Sequence, residues 1–259
     1  MRRTWVVLRR EWTELKQNRF LVVSTLMLPL ILSGMVIFAA LSVAGSDVHP
    51  SEVESLLAQA PRGYSPRQVV MFMLMKQLLA TFLAVPAIIP ALITSYSIIG
   101  EKQLRTLEPV LATPVRVGEL LAGKCLAAFV PALLATWLSF GITCAILQSR
   151  LPPETARVAP PTTDWLIAIF FVAPLLAFGS NTLTVIVSSR VRDPRAAHQF
   201  ASLLILPIIG VVLVQLARGI LLGWRFWLAT ALALAWLDAI LLRLASAWFN
   251  HEGILAKFG

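Results

Sequence analysis

Apolar runs long enough to cross a bilayer alternate along this chain with short charged segments. The first stretch, MRRTWVVLRREWTELKQNR (residues 1–19), places Trp5, Leu8, Trp12 and Leu15 at steps of three and four. Arg2, Arg3, Arg9, Arg10, Lys16 and Arg19 fall between them. That spacing predicts an amphipathic helix lying in the membrane interface. Residues 20–45 form an apolar run behind this basic head, superficially like a secretory signal. The run is too long for a signal core and is read as a retained first span.

Residues 46–68 are polar. The next segment, MFMLMKQLL (71–79), is amphipathic about Lys76, and a second span follows to about Ile99. Residues 100–119 are a charged connection, 120–147 a third span, and 148–164 a proline-rich loop. A fourth span covers 165–189, followed by the short basic loop 190–197. The fifth and sixth spans are 199–217 and 226–247. Between those two lies RGILLGWR (218–225), apolar yet too short to cross a membrane. The expected fold is therefore all-α and membrane-integral, with an interfacial helix at 1–19 and one six-span domain at 20–259. Pro29, Pro86, Pro90, Pro131, Pro174 and Pro207 place proline in five of the six spans. Proline in a membrane helix frees a carbonyl and bends the axis.

Composition agrees with this pattern. Hydrophobic residues make up 58% of the 259 and charged residues 14%, with a mean hydropathy of +0.80. A soluble domain averages about 45–50% apolar and about 25% charged, so a soluble globular fold is excluded. The net charge of +9 would suggest nucleic acid in a soluble chain. Here the charges sit between spans and act as orientation signals. Residues 1–19, 100–124, 190–195 and 243–257 carry 15 Lys and Arg, and the opposite side carries 7. That asymmetry places both termini in the cytoplasm.

Catalytic chemistry is not visible. Cys125 and Cys144 lie nineteen residues apart in one span, roughly 28 Å along a helix, and cannot bridge within it. His49, His198 and His251 have no metal-ligand spacing. There is no phosphate-binding Gly-Lys loop, and no nucleophile with a base. No catalytic residue and no metal site are expected. The spans hold one acid, Asp238, and Arg243 five residues on is poorly placed to pair with it. Either a bundle-facing acid satisfied by hydroxyls or water, or a substrate-path group, fits Asp238. The run Gly179-Ser180-Asn181 reads as a small, polar packing patch.

The connection GEKQLRTLEPVLATPVRVGELLAGK (100–124) is longer than a simple hairpin needs. Leu104, Leu107 and Leu111 fall on one helical face, Pro109 and Pro114 bracket a turn, and Thr113 before Pro114 is a helix-start signal. Glu101, Lys102, Arg105 and Glu108 supply charge of both signs. The segment reads as a short amphipathic helix outside the membrane, resting either in a partner groove or on lipid head groups.

The run from Gly100 to Val115, followed by Gly123-Lys124, resembles the cytoplasmic loop of ABC-2 type transporter permeases, in the branch of bacterial sodium-export and drug-export permeases. The family pattern is a Glu-(Lys/Arg) start, Gly-Thr-Leu-Glu, a Leu-x-x-(Thr/Ser)-Pro turn, then Gly-Lys. Arg105 stands where that pattern has Gly. The resemblance implies a permease that pairs with itself or a sister permease, each copy docking on a separately encoded cytoplasmic ATPase. ATP and Mg would belong to that partner, with no cofactor in this chain. Carried over, the ATPase contact spans Glu101, Lys102, Leu104, Arg105, Thr106, Leu107, Glu108, Pro109, Leu111, Thr113 and Pro114. Leu104, Leu107 and Leu111 form its core and Glu101, Arg105 and Glu108 its rim. Segment 218–225 resembles a re-entrant external hairpin. The implied location is the inner membrane of a bacterium or archaeon. The expected function is the membrane subunit of an ATP-driven exporter. An energy-independent or cation-coupled transporter is the alternative.

Overall fold

The computed structural model describes residues 2–49, 63–103, 117–188, 210 and 223–249. In chain order the helices are α1 (Arg2–Gln17), α2 (Arg19–Gly45), α3 (Pro66–Phe82), α4 (Ala84–Gln103) and α5 (Val117–Arg150). They continue as α6 (Pro153–Ala156), α7 (Thr163–Ile167), a π-helical segment (Ala168–Val172), α8 (Ala173–Ser188) and α9 (Trp224–Phe249). No strand occurs among the described residues. Five stretches are long and apolar enough to cross a membrane: Leu21–Gly45, Pro66–Ile98, Ala122–Arg150, Thr163–Ser188 and Trp224–Ala245. They correspond to five of the six expected spans. The sixth, 199–217, lies outside the described residues apart from Gly210, which is helical.

Local chemistry explains where the helices start and break. Asn18 separates α1 from α2, and its side chain accepts a hydrogen bond from Leu21 N at 3.3 Å, capping α2. Ser65 and Gln68 form a reciprocal capping box at the start of α3, with Pro66 at the first helical position. The break between α3 and α4 falls at Leu83. Pro86 has no N–H to give Phe82 O, so the ladder cannot run through this point unaltered. Despite the break, α3 and α4 together make one apolar stretch. The amphipathic segment 71–79 is thus the first half of span two and not a separate element. Its expected polar face is buried, Lys76 included.

A second proline shapes span four. Pro174 follows the π-helical turn at 168–172. There the Ala173 N–H reaches back five residues to Ala168 O. The next bond in that register would run from residue 174 to Ile169 O, and proline cannot make it. Trp137 on α5 supplies the missing donor: its Nε1 lies 3.2 Å from Ile169 O. A carbonyl freed by proline at membrane depth is satisfied by a neighbouring helix.

Two layers of packing hold the bundle. At the end where α5 terminates and α7 begins, Met71, Met75, Leu79, Phe82, Phe140, Trp165, Ile169 and Trp227 share one core. Trp165 stacks on Phe140 at 6.0 Å and meets Phe82 edge-on at 5.6 Å. At the other end, where α1 sits, Val85, Ile89 and Ile93 of α4 pack on Ala128 and Ala132 of α5, with Leu15 of α1 against them. Small residues there let the two backbones approach. Span two is the centre of the bundle, 78% buried, whereas Leu21–Gly45 and Trp224–Ala245 are 22% and 17% buried. The outer helices leave Phe38, Leu232 and Trp236 exposed, as lipid-facing side chains require.

The expected proline-rich loop 148–164 is shorter and more ordered than the sequence suggests. α5 continues to Arg150 and span four starts at Thr163. Between them, Gln148 Nε2 donates to Ala156 O at 3.1 Å and Pro160 O at 2.8 Å. Gln68 Nε2 donates to Glu154 O at 2.9 Å. Lys76 Nζ pairs with Asp164 Oδ2 beneath this loop, both side chains buried, with the amine 5.1 Å from the Phe72 ring centre.

Candidate functional site

The expected coupling segment lies largely beyond the described residues. Leu104, Arg105, Thr106, Leu107, Glu108, Pro109, Leu111, Thr113 and Pro114 are outside them. Glu101 and Lys102 form the last turn of α4, which continues span two to Gln103. α5 resumes at Val117. The two helices that flank residues 104–116 are therefore both described, and their packing defines the site's base.

Two buried charged side chains and one half-buried hydroxyl, from three helices, meet there. Lys124 Nζ on α5 lies 2.6 Å from Glu11 Oε1 on α1 and 2.8 Å from Ser97 Oγ on α4. Ser97 Oγ donates to Glu11 Oε2 at 2.7 Å, closing the triangle. Glu11 is 6% exposed and Lys124 3%. Both carboxylate oxygens are used, and the single hydroxyl both donates and accepts, as its chemistry allows. Charge-assisted bonds of this kind are roughly twice as strong as neutral ones. A buried pair costs desolvation on formation but is expensive to break from one side.

Two further bonds reinforce this end. Trp12 Nε1 donates to Ala127 O at 3.2 Å, so α1 is fixed to α5 at two successive turns. Asn181 on α8 accepts from Thr94 Oγ1 at 2.5 Å and donates to Cys125 O at 2.7 Å, joining α8 to α4 and α5. Of the Gly179-Ser180-Asn181 run, read as a packing patch, Asn181 is thus a three-helix tie. The sequence reading named the apolar face of α1 correctly at Leu8, Trp12 and Leu15 but passed over Glu11. The signal was present: Glu11 lies three residues after Leu8 and four before Leu15, on the same stripe. A carboxylate on a buried stripe calls for a buried counter-charge. Trp5, expected on that face, is 60% exposed and meets Trp12 edge-on at 6.4 Å.

Asp238 sits elsewhere, on the face of α9 that packs on α8. It follows Trp227, Ala231 and Leu234 along one stripe. It is 5% exposed, and neither carboxylate oxygen has a hydrogen-bond partner among the described residues. Arg243 is exposed. A Cβ built on Gly179 would lie 2.6 Å from Asp238 Oδ1, so this glycine makes the room the carboxylate occupies. Asp238 lies fourteen residues from the start of α9, about 21 Å along its axis.

Cys125 and Cys144 are both free. No group of three or more His, Cys, Asp or Glu side chains that could hold a metal ion occurs among the described residues.

A family model described as ABC-2 family transporter protein matches residues 5–234. A comparison with curated proteins returns no match. The matched region runs from α1 through the 100–124 connection and into α9. The chain is thus a multi-pass membrane protein of the ABC-2 transporter family, a transmembrane component that is not itself catalytic.

Proposed function

We propose that this chain is the permease of an ATP-driven exporter, with residues 101–114 as the segment that receives a separate cytoplasmic ATPase. The carrying observation is the base of that segment. α4 and α5 are locked together and to α1 by Glu11, Ser97 and Lys124, so the intervening stretch is presented from a firm platform. Nucleotide and Mg would be held by the ATPase. Rigid-body displacement of the 101–114 region would then switch the spans between inward- and outward-facing arrangements.

Six spans, an interfacial helix at 1–19 and a single membrane domain at 20–259 complete this reading. Two facts support the sixth span. α8 runs toward the end of the bundle where Asn181 donates to Cys125 O, next to Lys124, whereas α9 begins in the core that holds Trp165, at the opposite end. The 15-to-7 distribution of Lys and Arg supports cytoplasmic termini in an inner membrane. A second permease copy, two ATPase subunits and an external re-entrant hairpin at 218–225 belong to the same proposal. Asp238 is the candidate substrate-path group, since a buried acid without a hydrogen-bond partner among the described residues is costly at this depth. It also favours the alternative, a cation-coupled transporter.

The test is purification of the tagged chain from its native membrane in mild detergent, followed by mass spectrometry. The exporter reading expects a P-loop ATPase at one copy per permease. Recovery of a folded, dimeric permease with no ATPase, under conditions that preserve other ABC complexes, would favour the alternative.

A further inference from the structure

We propose that Glu11 is a positioning residue that makes α1 and both flanks of the 104–116 segment move as one body, so that the surface helix carries the coupling motion into span one. This rests on the reading of 101–114 as the segment the ATPase moves.

The argument starts from the geometry of the triangle. Its three corners come from α1, from the last turns of α4 and from the first turns of α5. Ser97 precedes the end of α4 by six residues, and Lys124 follows the start of α5 by seven. Glu11 therefore touches both flanks of the 104–116 segment at once. Apolar contacts tolerate sliding, whereas hydrogen bonds weaken steeply with small changes of length and angle. A shift of α5 against α4 by more than about an ångström would strain two of the three bonds together. The ring cannot open without leaving a charge buried, so a shared displacement is the favoured response.

The motion has an exit. Trp12, next to Glu11, holds Ala127 O one turn further along α5. Leu8 is buried, and Leu15 packs on the cluster of Val85, Ile89 and Ala128. The other face of α1, with Trp5, Val6, Arg9 and Thr13, is exposed. α1 is thus gripped on the face that carries Glu11 and free to travel on the other. One residue later, Asn18 hands the chain to α2 through its cap on Leu21 N. α2 in turn packs along α5, with Ser33 Oγ 3.4 Å from Ser139 O. A displacement of the flanks therefore reaches the foot of span one through α1 as well as through direct packing.

The experiment uses the assembled complex with its ATPase in lipid nanodiscs, in a chain with Cys125 and Cys144 replaced by alanine. Spin labels on Lys16→Cys of α1 and Leu232→Cys of α9, both exposed positions, report the α1–α9 distance by double electron–electron resonance. Three versions are compared: wild type at these sites, Glu11→Gln, and the charge swap Glu11→Lys/Lys124→Glu. Glu11→Gln keeps the shape and one acceptor, so it leaves the fold able to form.

In the wild type, trapping the ATPase with ATP and vanadate shifts the distance. In Glu11→Gln that shift falls at least threefold, compared in complexes that carry equal amounts of ATPase. The swap brings the shift back. A nucleotide-driven shift of full size in Glu11→Gln, no shift in wild type, or no recovery in the swap overturns the proposal. A second measure does not need the ATPase. Without nucleotide the distance distribution of Glu11→Gln is at least twice as wide as wild type, and the swap narrows it. Loss of ATPase from every version with these widths intact would count against the exporter reading but not against the clamp. Equal widths would overturn the clamp.

Discussion

Removing the amine of Lys76 strands the Asp164 carboxylate in the core beneath the 148–164 loop. Both residues are 8% exposed, so water cannot replace the lost partner. Breaking a buried ion pair from one side costs about 3–5 kcal/mol, because the remaining charge is left uncompensated. Lys76→Met keeps the length of the apolar stem, so the packing loss is small. The single variant is expected to lose about 3–5 kcal/mol of unfolding free energy. Lys76→Met/Asp164→Leu removes both charges and fills the space with apolar atoms. Such replacements are commonly neutral or stabilising by about 1–4 kcal/mol. The double variant should therefore lie within about 1 kcal/mol of wild type or above it. Reversible unfolding in mixed micelles, followed by tryptophan fluorescence, measures all three. A double variant as unstable as the single would refute the reasoning. The pair would then be acting through specific geometry that apolar side chains cannot supply.

Two further outcomes follow from the same structure. Trp137→Phe removes the donor that satisfies Ile169 O and should cost about 1–3 kcal/mol in the same unfolding assay. Adding Pro174→Ala supplies a backbone N–H to that carbonyl and should recover most of the loss, whereas an additive double variant would contradict the proline account. Gly179→Ala places a Cβ 2.6 Å from Asp238 Oδ1 and should destabilise by about 1–3 kcal/mol. In an Asp238→Ala background the same substitution should be nearly silent, and equal losses in both backgrounds would show that the carboxylate does not occupy that space.

Much of the architecture was legible because it depends on one-dimensional signals. Span length and hydropathy located five spans that the structure describes, with boundaries off by a few residues. The largest error concerned 66–98. Lys76 interrupted the apolar run and suggested an amphipathic segment ahead of the span, yet its partner Asp164 lies 88 residues away. A pairing across that separation leaves no trace in local periodicity. The same limit hid the Glu11–Lys124 contact, which joins residues 113 apart. Lys124 was noticed as part of a Gly-Lys signature, but the pattern says nothing of what the lysine holds. Proline was expected to free a carbonyl and bend a span, but the partner and the place needed the structure: Pro86 breaks span two at Leu83, and Pro174 sits behind a π-helical turn that borrows a donor from Trp137. Asp238 stood out from sequence alone because one acid in an apolar run is conspicuous. That it rests against Gly179 required two helices to be placed side by side.

The central claim is that the 101–114 segment docks an ATPase through its leucine face. The most direct measurement compares ATPase recovery in detergent pull-downs from wild type, Leu107→Asp and Gln103→Asp. Spacing puts Leu107 with Leu104 and Leu111, while Gln103 ends α4. Burial of a leucine is worth roughly 1.5–3 kcal/mol, and an unpaired charge in its place adds several more against docking. Leu107→Asp should therefore reach the membrane at normal abundance and lose at least tenfold of the co-purified ATPase. Gln103→Asp should stay within about twofold of wild type, a change below about 0.5 kcal/mol. Equal ATPase recovery from wild type and Leu107→Asp would contradict the account.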